Sequence, residues 1–490
     1  MMKRGAMTAG AALLLAASGA LATTDARRAR LLSAMPAVDA YLRAHAAEAG
    51  CVGMAFGVVA GDRLLWAKGY GVRAPGTQEP VDSRTVFRIG SLTKTLTAVA
   101  ILQLRDAGRL RFDAPAAQYL PELGNVAYPS PARPPITTRE LLSHRSGLPR
   151  SGTFDYTSGR PGPTEAQLLA SLDHLRLESV PGTRTTYSNL GFALLGLEVS
   201  RVSGEPYRAY VTRHILRPLG MTSSVWTPEA VPPGRLATGA ALVNGRRQPV
   251  PHWRMGAAAA MGGLYSDVED LAKYASFELS AQAPPGTAPS PVLRRSSLVE
   301  SQSVQAKSSN GAPSVGFDWG LLDEPALGPL VMHLGQTGNY SASLRLLPRR
   351  GLGVVALCSY SGAVEALQGL TQHVLALTVE NDAGLTSPLS APLQQALARV
   401  RQELAHANGQ ELRALFTEGF LRSVTLPGTV SFFTRTGAAS GSCGLARGIS
   451  SDGPDGATAV LPCVRQSWTV SLTVEPKAPF RIQSLWIRPL

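Results

Sequence analysis

Lysine is scarce in this chain of 490 residues: only Lys3, Lys68, Lys94, Lys273, Lys307 and Lys477 occur among 47 basic side chains. The formal charge of +13 is therefore almost all arginine, and it is scattered. No basic run interleaved with aromatics appears, which argues against a nucleic-acid site. The balance reads as a soluble surface mildly attracted to anionic polymers or membranes. Charged residues reach only 17% and apolar ones 44%, proportions that exclude a disordered chain. The eight histidines (45, 144, 174, 214, 252, 333, 373, 406) show no His-x-His or His-Glu-x-x-His spacing, so a metalloenzyme is disfavoured and no metal or cofactor is expected. A Gly-x-Ser-x-Gly elbow is missing too, which disfavours an α/β-hydrolase, and no nucleotide-binding glycine loop occurs.

What is present begins at the amino terminus. Lys3 and Arg4 precede an apolar stretch from Ala11 to Leu21, and Ala20-Leu21-Ala22 has the small-x-small form of a signal-peptidase site. The stretch is well short of the ~20 residues of a membrane span. Residues 1–22 therefore read as a cleaved signal peptide, with an exported, periplasmic or secreted product and no stable membrane span. Export permits disulfides. Of the four cysteines, Cys443 and Cys463 share the C-terminal region and are expected to be bridged; Cys51 and Cys358, far apart, are expected to be buried thiols.

The length favours two folded units. Helical spacing covers 31–48, and strand-like runs at Gly53–Ala60 and Arg63–Gly71 flank Gly61-Asp62. An apolar helix follows from Ser91 to Asp106, closed by Gly108. Further helical stretches lie at 138–143, at 165–220 with a break around Pro181-Gly182, and at 267–279. Leu330–Leu347 and Gly353–Ser359 form two β-rich runs about the turn at 348–351. Strands thus flank a helical middle, giving an α/β sandwich with a helical insertion over 31–385. After a composition shift near 385–392, helical patterning over 393–422 gives way to strands around 457–462, 468–474 and 482–487. Residues 393–490 therefore read as a separate small α+β domain.

Three elements carry chemistry. In Ser91-Leu92-Thr93-Lys94 the i,i+3 spacing puts the Lys94 amine within reach of the Ser91 hydroxyl, and a serine nucleophile needs such a base. Tyr187-Ser188-Asn189 follows Pro181-Gly182 and leads an apolar helix; its tyrosine can relay a proton if Lys94 lowers its pKa, and its asparagine offers both a donor and an acceptor. His333-Leu334-Gly335 starts a strand continuing through Gln336-Thr337-Gly338-Asn339-Tyr340, where glycine admits a substrate backbone and the next N–H can serve an oxyanion.

In this order the elements resemble those of the serine β-lactamase and penicillin-binding-protein superfamily. Tyrosine at the head of the second element brings the likeness closest to the class C-like branch, with its DD-peptidase, D-aminopeptidase and esterase relatives. The stretch Ile136–Leu148 (ITTRELLSHRSGL), Pro218-Leu219-Gly220-Met221 and Gly262-Gly263-Leu264-Tyr265-Ser266 extend the resemblance over about residues 35–380. It implies a mainly antiparallel sheet flanked by helices, with a helical subdomain. It further implies acylation of Ser91, proton management by Lys94 and Tyr187, and substrate contact by Asn189. The backbone N–H groups of Ser91 and Gln336 would form the oxyanion hole, with His333 and Gly335 on the substrate strand. Small-molecule or peptide substrates follow, among them cell-wall peptides.

Two departures bear on the substrate. His333 stands where β-lactamases usually carry lysine, which weakens the fixed charge for a substrate carboxylate. Asn339 replaces a usual glycine, and asparagine tolerates a left-handed backbone. A promiscuous carboxylesterase and a non-catalytic binding homologue are the competing readings; the intact Ser91, Lys94 and Tyr187 speak against the latter. The C-terminal domain weakly resembles a nuclear-transport-factor-2-like fold.

Overall fold

The turn at Gly61-Asp62 joins two antiparallel strands, β1 (Gly53–Ala60) and β2 (Arg63–Gly71). The structure is a computed structural model. It describes residues 25–489 except 157, 174, 284–286, 288–289, 309–311, 325–326, 383–390, 442, 444–446, 452–455, 462 and 464–467. The signal peptide expected over 1–22 lies outside the described residues. The described residues form two compact units, one of residues 41–322 and 329–372, the other of those up to 40 with 323–328 and 373–490.

Nearly every residue of β1 is buried, the signature of a strand covered on both faces. The residues that follow it in the sheet come from far along the chain: β3 (Ser314–Val315), β4 (Gly320–Glu324), β5 (Gly328–Gln336), β6 (Ser341–Leu347) and β7 (Leu352–Cys358). The spatial order is β2-β1-β7-β6-β5-β4-β3. The run 330–347 is thus two strands and not one. β5 stops at Gln336, and residues 337–340 turn back on themselves, with Thr337 N–H donating to Tyr340 O at 3.0 Å. Asn339 is buried there outside the left-handed region; Thr337 Oγ1 donates to its Oδ1 at 3.2 Å.

Three helices matter for the site. A single 3-10 turn, Gly90–Leu92, leads into α1 (Thr93–Asp106), which is buried along most of its length and ends as expected at Gly108, φ +71°. The segment 165–220 is less helical than its composition suggests: α2 (Asn189–Ser203) begins only after a long non-helical stretch, with Ser188 Oγ capping Gly191 N–H at 3.0 Å. α3 (Val268–Leu279), capped by Asp267, lies on the sheet, where a Cβ at Gly57 of β1 would fall 2.4 Å from Val268 Cγ1.

One cysteine expectation fails here. Cys51 and Cys358 are disulfide-bonded, 307 residues apart in sequence, because the antiparallel register sets Met54 opposite Cys358. Sequence distance says little once a sheet pairs the two ends of a unit. In the smaller unit Cys443–Cys463 is bridged as expected. That unit holds helices Ala391–Ala405, Gly409–Leu415, Glu418–Val424 and Leu426–Ser440 beside a four-stranded antiparallel sheet. The last helix, rich in Thr, Gly and Ser, and the strand Arg447–Ser451 were not foreseen.

Candidate active site

The 3-10 turn delivers Ser91 to the rim of a cavity of about 870 Å³, with Lys94 one turn below it. Two glycines make this possible. Gly90 sits at φ +54°, and a Cβ there would fall 2.7 Å from the Gln336 nitrogen; a Cβ on Gly335 would fall 2.0 Å from Ile89 O. Only residues without side chains let the end of β5 close onto the segment before Ser91. The Gln336 amide is thereby held beside the nucleophile's own turn.

Lys94 is fully buried. Its Nζ donates to Ser91 Oγ at 2.9 Å and to Met261 O at 2.5 Å, and it lies 4.9 Å from the Tyr187 ring centroid. Burial lowers the Lys94 ammonium to about 7; the charge of Asp318 opposes the shift and that of Arg150 adds to it. A large share of the amine is therefore free base near neutral pH. Tyr187 behaves otherwise than expected. Burial holds its phenol well above the usual tyrosine range, Asp318 adds to this, and a hydrogen bond with Ser91 and the charge of Arg150 only partly offset it. The nearby Arg150 guanidinium does not win over loss of water, and Lys94, largely free base, offers little charge to help it.

Asn189 opens α2, with its backbone N–H on Arg150 O at 2.7 Å, and its side chain lines the cavity near Ser151. His333, Gly335 and Gln336 line the same cavity. All seven residues singled out in the sequence are thus near one cavity: six line it, and Lys94 lies beneath Ser91. His333 is not free to serve a substrate with its Nε2, which lies 2.9 Å from Asp318 Oδ2, at ion-pair distance but not aligned as a hydrogen bond.

Two residues went unnoticed as site members. His144 Nε2 lies 2.8 Å from Asp318 Oδ1, while Ser188 N–H donates to His144 Nδ1 at 3.1 Å. His144 therefore carries its proton on Nε2 and donates it to Asp318, and burial lowers its pKa. Its ring packs on Tyr187, centroids 4.4 Å apart. Burial alone would raise the Asp318 carboxyl, but the charge of His333 and the His144 hydrogen bond outweigh it and bring it down to about 2. His144 stood in plain view within Ile136–Leu148; Asp318 had no local signal. Among the described residues no group of three or more His, Cys, Asp or Glu side chains is arranged to hold a metal. None of their helices is long and apolar enough to cross a membrane.

A family model described as Beta-lactamase matches residues 38–378. The chain belongs to the beta-lactamase family. It is accordingly a serine hydrolase working by acyl transfer, on an amide or an ester. Among its relatives is the D-alanyl-D-alanine-carboxypeptidase/endopeptidase AmpH of Escherichia coli strain K12, 27% identical over 332 residues, covering 66% of this chain and 83% of that protein. Penicillin-binding protein 4 of Amycolatopsis lactamdurans is 31% identical over 302 residues, or 60% of this chain and 77% of the relative. Among solved structures, the octameric penicillin-binding protein homologue of Pyrococcus abyssi aligns over 90% of this chain and 91% of its own, at TM-score 0.61 and 23% identity. That likeness concerns the fold, and it reaches past the segment matched by the family model.

Proposed function

We propose that this beta-lactamase-family hydrolase is exported and forms an acyl-enzyme on Ser91 with a D-alanyl peptide or β-lactam-like substrate. The observation that carries the reading is the Lys94 Nζ to Ser91 Oγ contact of 2.9 Å in a pocket that leaves much of the amine unprotonated at neutral pH. Lys94 takes the Ser91 proton as Oγ bonds to the substrate carbonyl carbon. The oxyanion receives the N–H groups of Ser91 and Gln336. Collapse of the tetrahedral species breaks the bond to the leaving amine or alcohol, which takes a proton through the Tyr187 hydroxyl. Water, deprotonated by Lys94, then releases the acid and frees Ser91. Asn189 meets the substrate amide. Tyr187 serves as donor and relay, since its phenol keeps its proton. Export is supported by the amino-terminal pattern and by two disulfides.

A specific observation favours a second substrate. The cavity walls include Phe154, Tyr156, Trp253, Met255 and Trp319, and the histidine in place of lysine faces Asp318. An apolar acyl ester suits such walls. Intact-protein mass spectrometry after exposure to a fluorescent penicillin, with wild type beside Ser91→Ala, tests both. An adduct on wild type alone supports the penicillin-type site. Its absence, with Ser91-dependent turnover of a p-nitrophenyl ester, moves the assignment to the esterase. Turnover of either substrate by Ser91→Ala removes the mechanism.

A further inference from the structure

Five non-glycine residues have positive φ among the described residues, and two of them, His144 (φ +58°) and Asp318 (φ +64°), meet at the active site. Such a backbone is disfavoured for side chains with a Cβ and persists only where the surroundings impose it. These two are hydrogen-bonded to each other at 2.8 Å, and their segments are tied again by Asp318 N–H donating to Leu142 O at 3.0 Å. Asp318 is 3% exposed, and its carboxylate spans two imidazoles, His144 on one oxygen and His333 on the other. A buried carboxylate is costly unless its partners are fixed. Here strained backbone and buried charge converge on one point, under the cavity that holds Ser91.

We propose that Asp318 is a positioning residue for the acyl-transfer reaction: it clamps His144 and His333 against the proton-handling pair and supplies the anion that balances Lys94. The placement supports each part. His144, held by Asp318, packs on the Tyr187 ring at 4.4 Å, and His333, held from the other side, has its ring centroid 6.5 Å from that of Tyr187. Lys94 is surrounded by the Ser91 hydroxyl, Met261 O, and the Tyr187 and Phe192 rings, with Arg150 as a second cation and His144 in electrostatic range. Asp318 is the anion acting on it. On the far side, Asp318 also bears on Tyr274, which Glu278 faces. The inference rests on the assignment of Lys94 as the base.

The sign is fixed by the charges. Base catalysis by Lys94 produces an acid limb in kcat/KM, and the negative charge of Asp318 moves that limb to higher pH. Asp318→Asn keeps the size, an acceptor for His144 and tolerance of the left-handed backbone, and removes only the charge. Asp318→Gly adopts φ +64° freely and removes the clamp altogether. Both are to be measured as full-length protein with a p-nitrophenyl ester across pH 5 to 9, beside wild type. The expected result is an acid limb moved down by about one pH unit in both, with the plateau lowered on the order of tenfold in Asn and further in Gly. A purely structural residue would lower the plateau and leave the limb in place; that result, or an unchanged profile, overturns the proposal. A second readout does not depend on turnover: long-range ¹H–¹⁵N spectra of the histidine rings. In wild type His144 should show a protonated, strongly hydrogen-bonded Nε2, and this signature should weaken in Asn and vanish in Gly; its persistence in Gly also overturns the clamp. Ser91-dependent turnover in wild type with no acid limb defeats the Lys94 assignment instead, while the histidine spectra still decide the clamp.

Discussion

The two units of this chain treat buried charge differently. The larger hides Lys94, Arg88, Glu198, Glu278 and Asp318 among its apolar side chains; the smaller, built around Leu393, Leu397, Val400, Phe416, Phe433, Val470 and Leu472, also hides Asp382 and Glu403, each with a partner: Arg27 donates to Asp382 at 2.7 Å and Asn408 N–H to Glu403 Oε2 at 2.9 Å. Burying charge works against stability, whereas burying apolar surface is its main source. The larger unit therefore gives up stability where it performs chemistry, and only its extensive core permits that. The difference lies in the partners: among the described residues Glu198 Oε2 and Glu278 Oε1 of the larger unit have none, whereas Asp382 and Glu403 of the smaller are each met by one.

The largest effect that sharpens the contrast is at Ser91. Ser91→Ala is expected to lower turnover by at least about 10⁴-fold, through loss of nucleophilic catalysis, while thermal melting stays where it was. A variant that melts several degrees lower would make Ser91 part of the scaffold and blur the contrast. The converse experiment uses Phe433→Ala. Phe433 is fully buried and meets Phe416 edge-on at 6.1 Å. Its truncation should destabilise the smaller unit by about 3–5 kcal/mol and leave kcat/KM on a small ester within about twofold. A parallel loss of activity would show that the two units are not separable in function.

The disulfides give a third comparison. Cys51–Cys358 closes a span of 307 residues and Cys443–Cys463 one of 20. On the chain-entropy account the long loop is stabilised more, and replacing Cys51 and Cys358 by Ser together should cost the larger unit about 3–5 kcal/mol, against about 3 kcal/mol or less for the short bridge. Chemical denaturation of the two double variants, followed by unit-specific probes, measures this. Equal losses would point to the native sheet register, rather than the loop, as the dominant constraint.

What was legible in the sequence follows the same division. Ser91 and Lys94 could be read because a helix makes i and i+3 neighbours without help from the rest of the fold. The hairpin at Gly61-Asp62 and the helix end at Gly108 were likewise local. The mainly antiparallel sheet flanked by helices followed from the order of elements and the family resemblance. Asp318 was invisible because its role depends on a left-handed backbone in the bend between β3 and β4 and on two histidines, His144 174 residues before it and His333 on β5. The Cys51–Cys358 bridge was missed for the same reason, since it depends on the β1–β7 register. The direction of the Tyr187 shift is not legible in the sequence because burial is a property of the packed structure, and it outweighs the Ser91 hydrogen bond and the Arg150 charge.

The smallest predicted effect concerns a buried carboxyl with no part in the proposed reaction. Glu198 of α2 is fully buried; Thr138 Oγ1 donates to its Oε1 at 2.5 Å, and Oε2 has no partner among the described residues. Burial pushes its carboxyl up to about 8, with the Thr138 hydrogen bond opposing. The folded state therefore binds a proton that the unfolded chain releases near its ordinary value of about 4.3. Protonation of Glu198 is favourable in the fold below that value, and the advantage is lost progressively as pH rises towards 8. Glu198→Gln keeps the shape and the acceptor for Thr138 but cannot titrate. Wild type should thus lose on the order of 2–3 kcal/mol relative to the variant between pH 5 and 8, read as melting curves that converge at the acid end and separate at the basic end. Parallel curves would mean that water or a counter-charge reaches Glu198, and that the larger unit gives up less stability to buried charge than its geometry indicates.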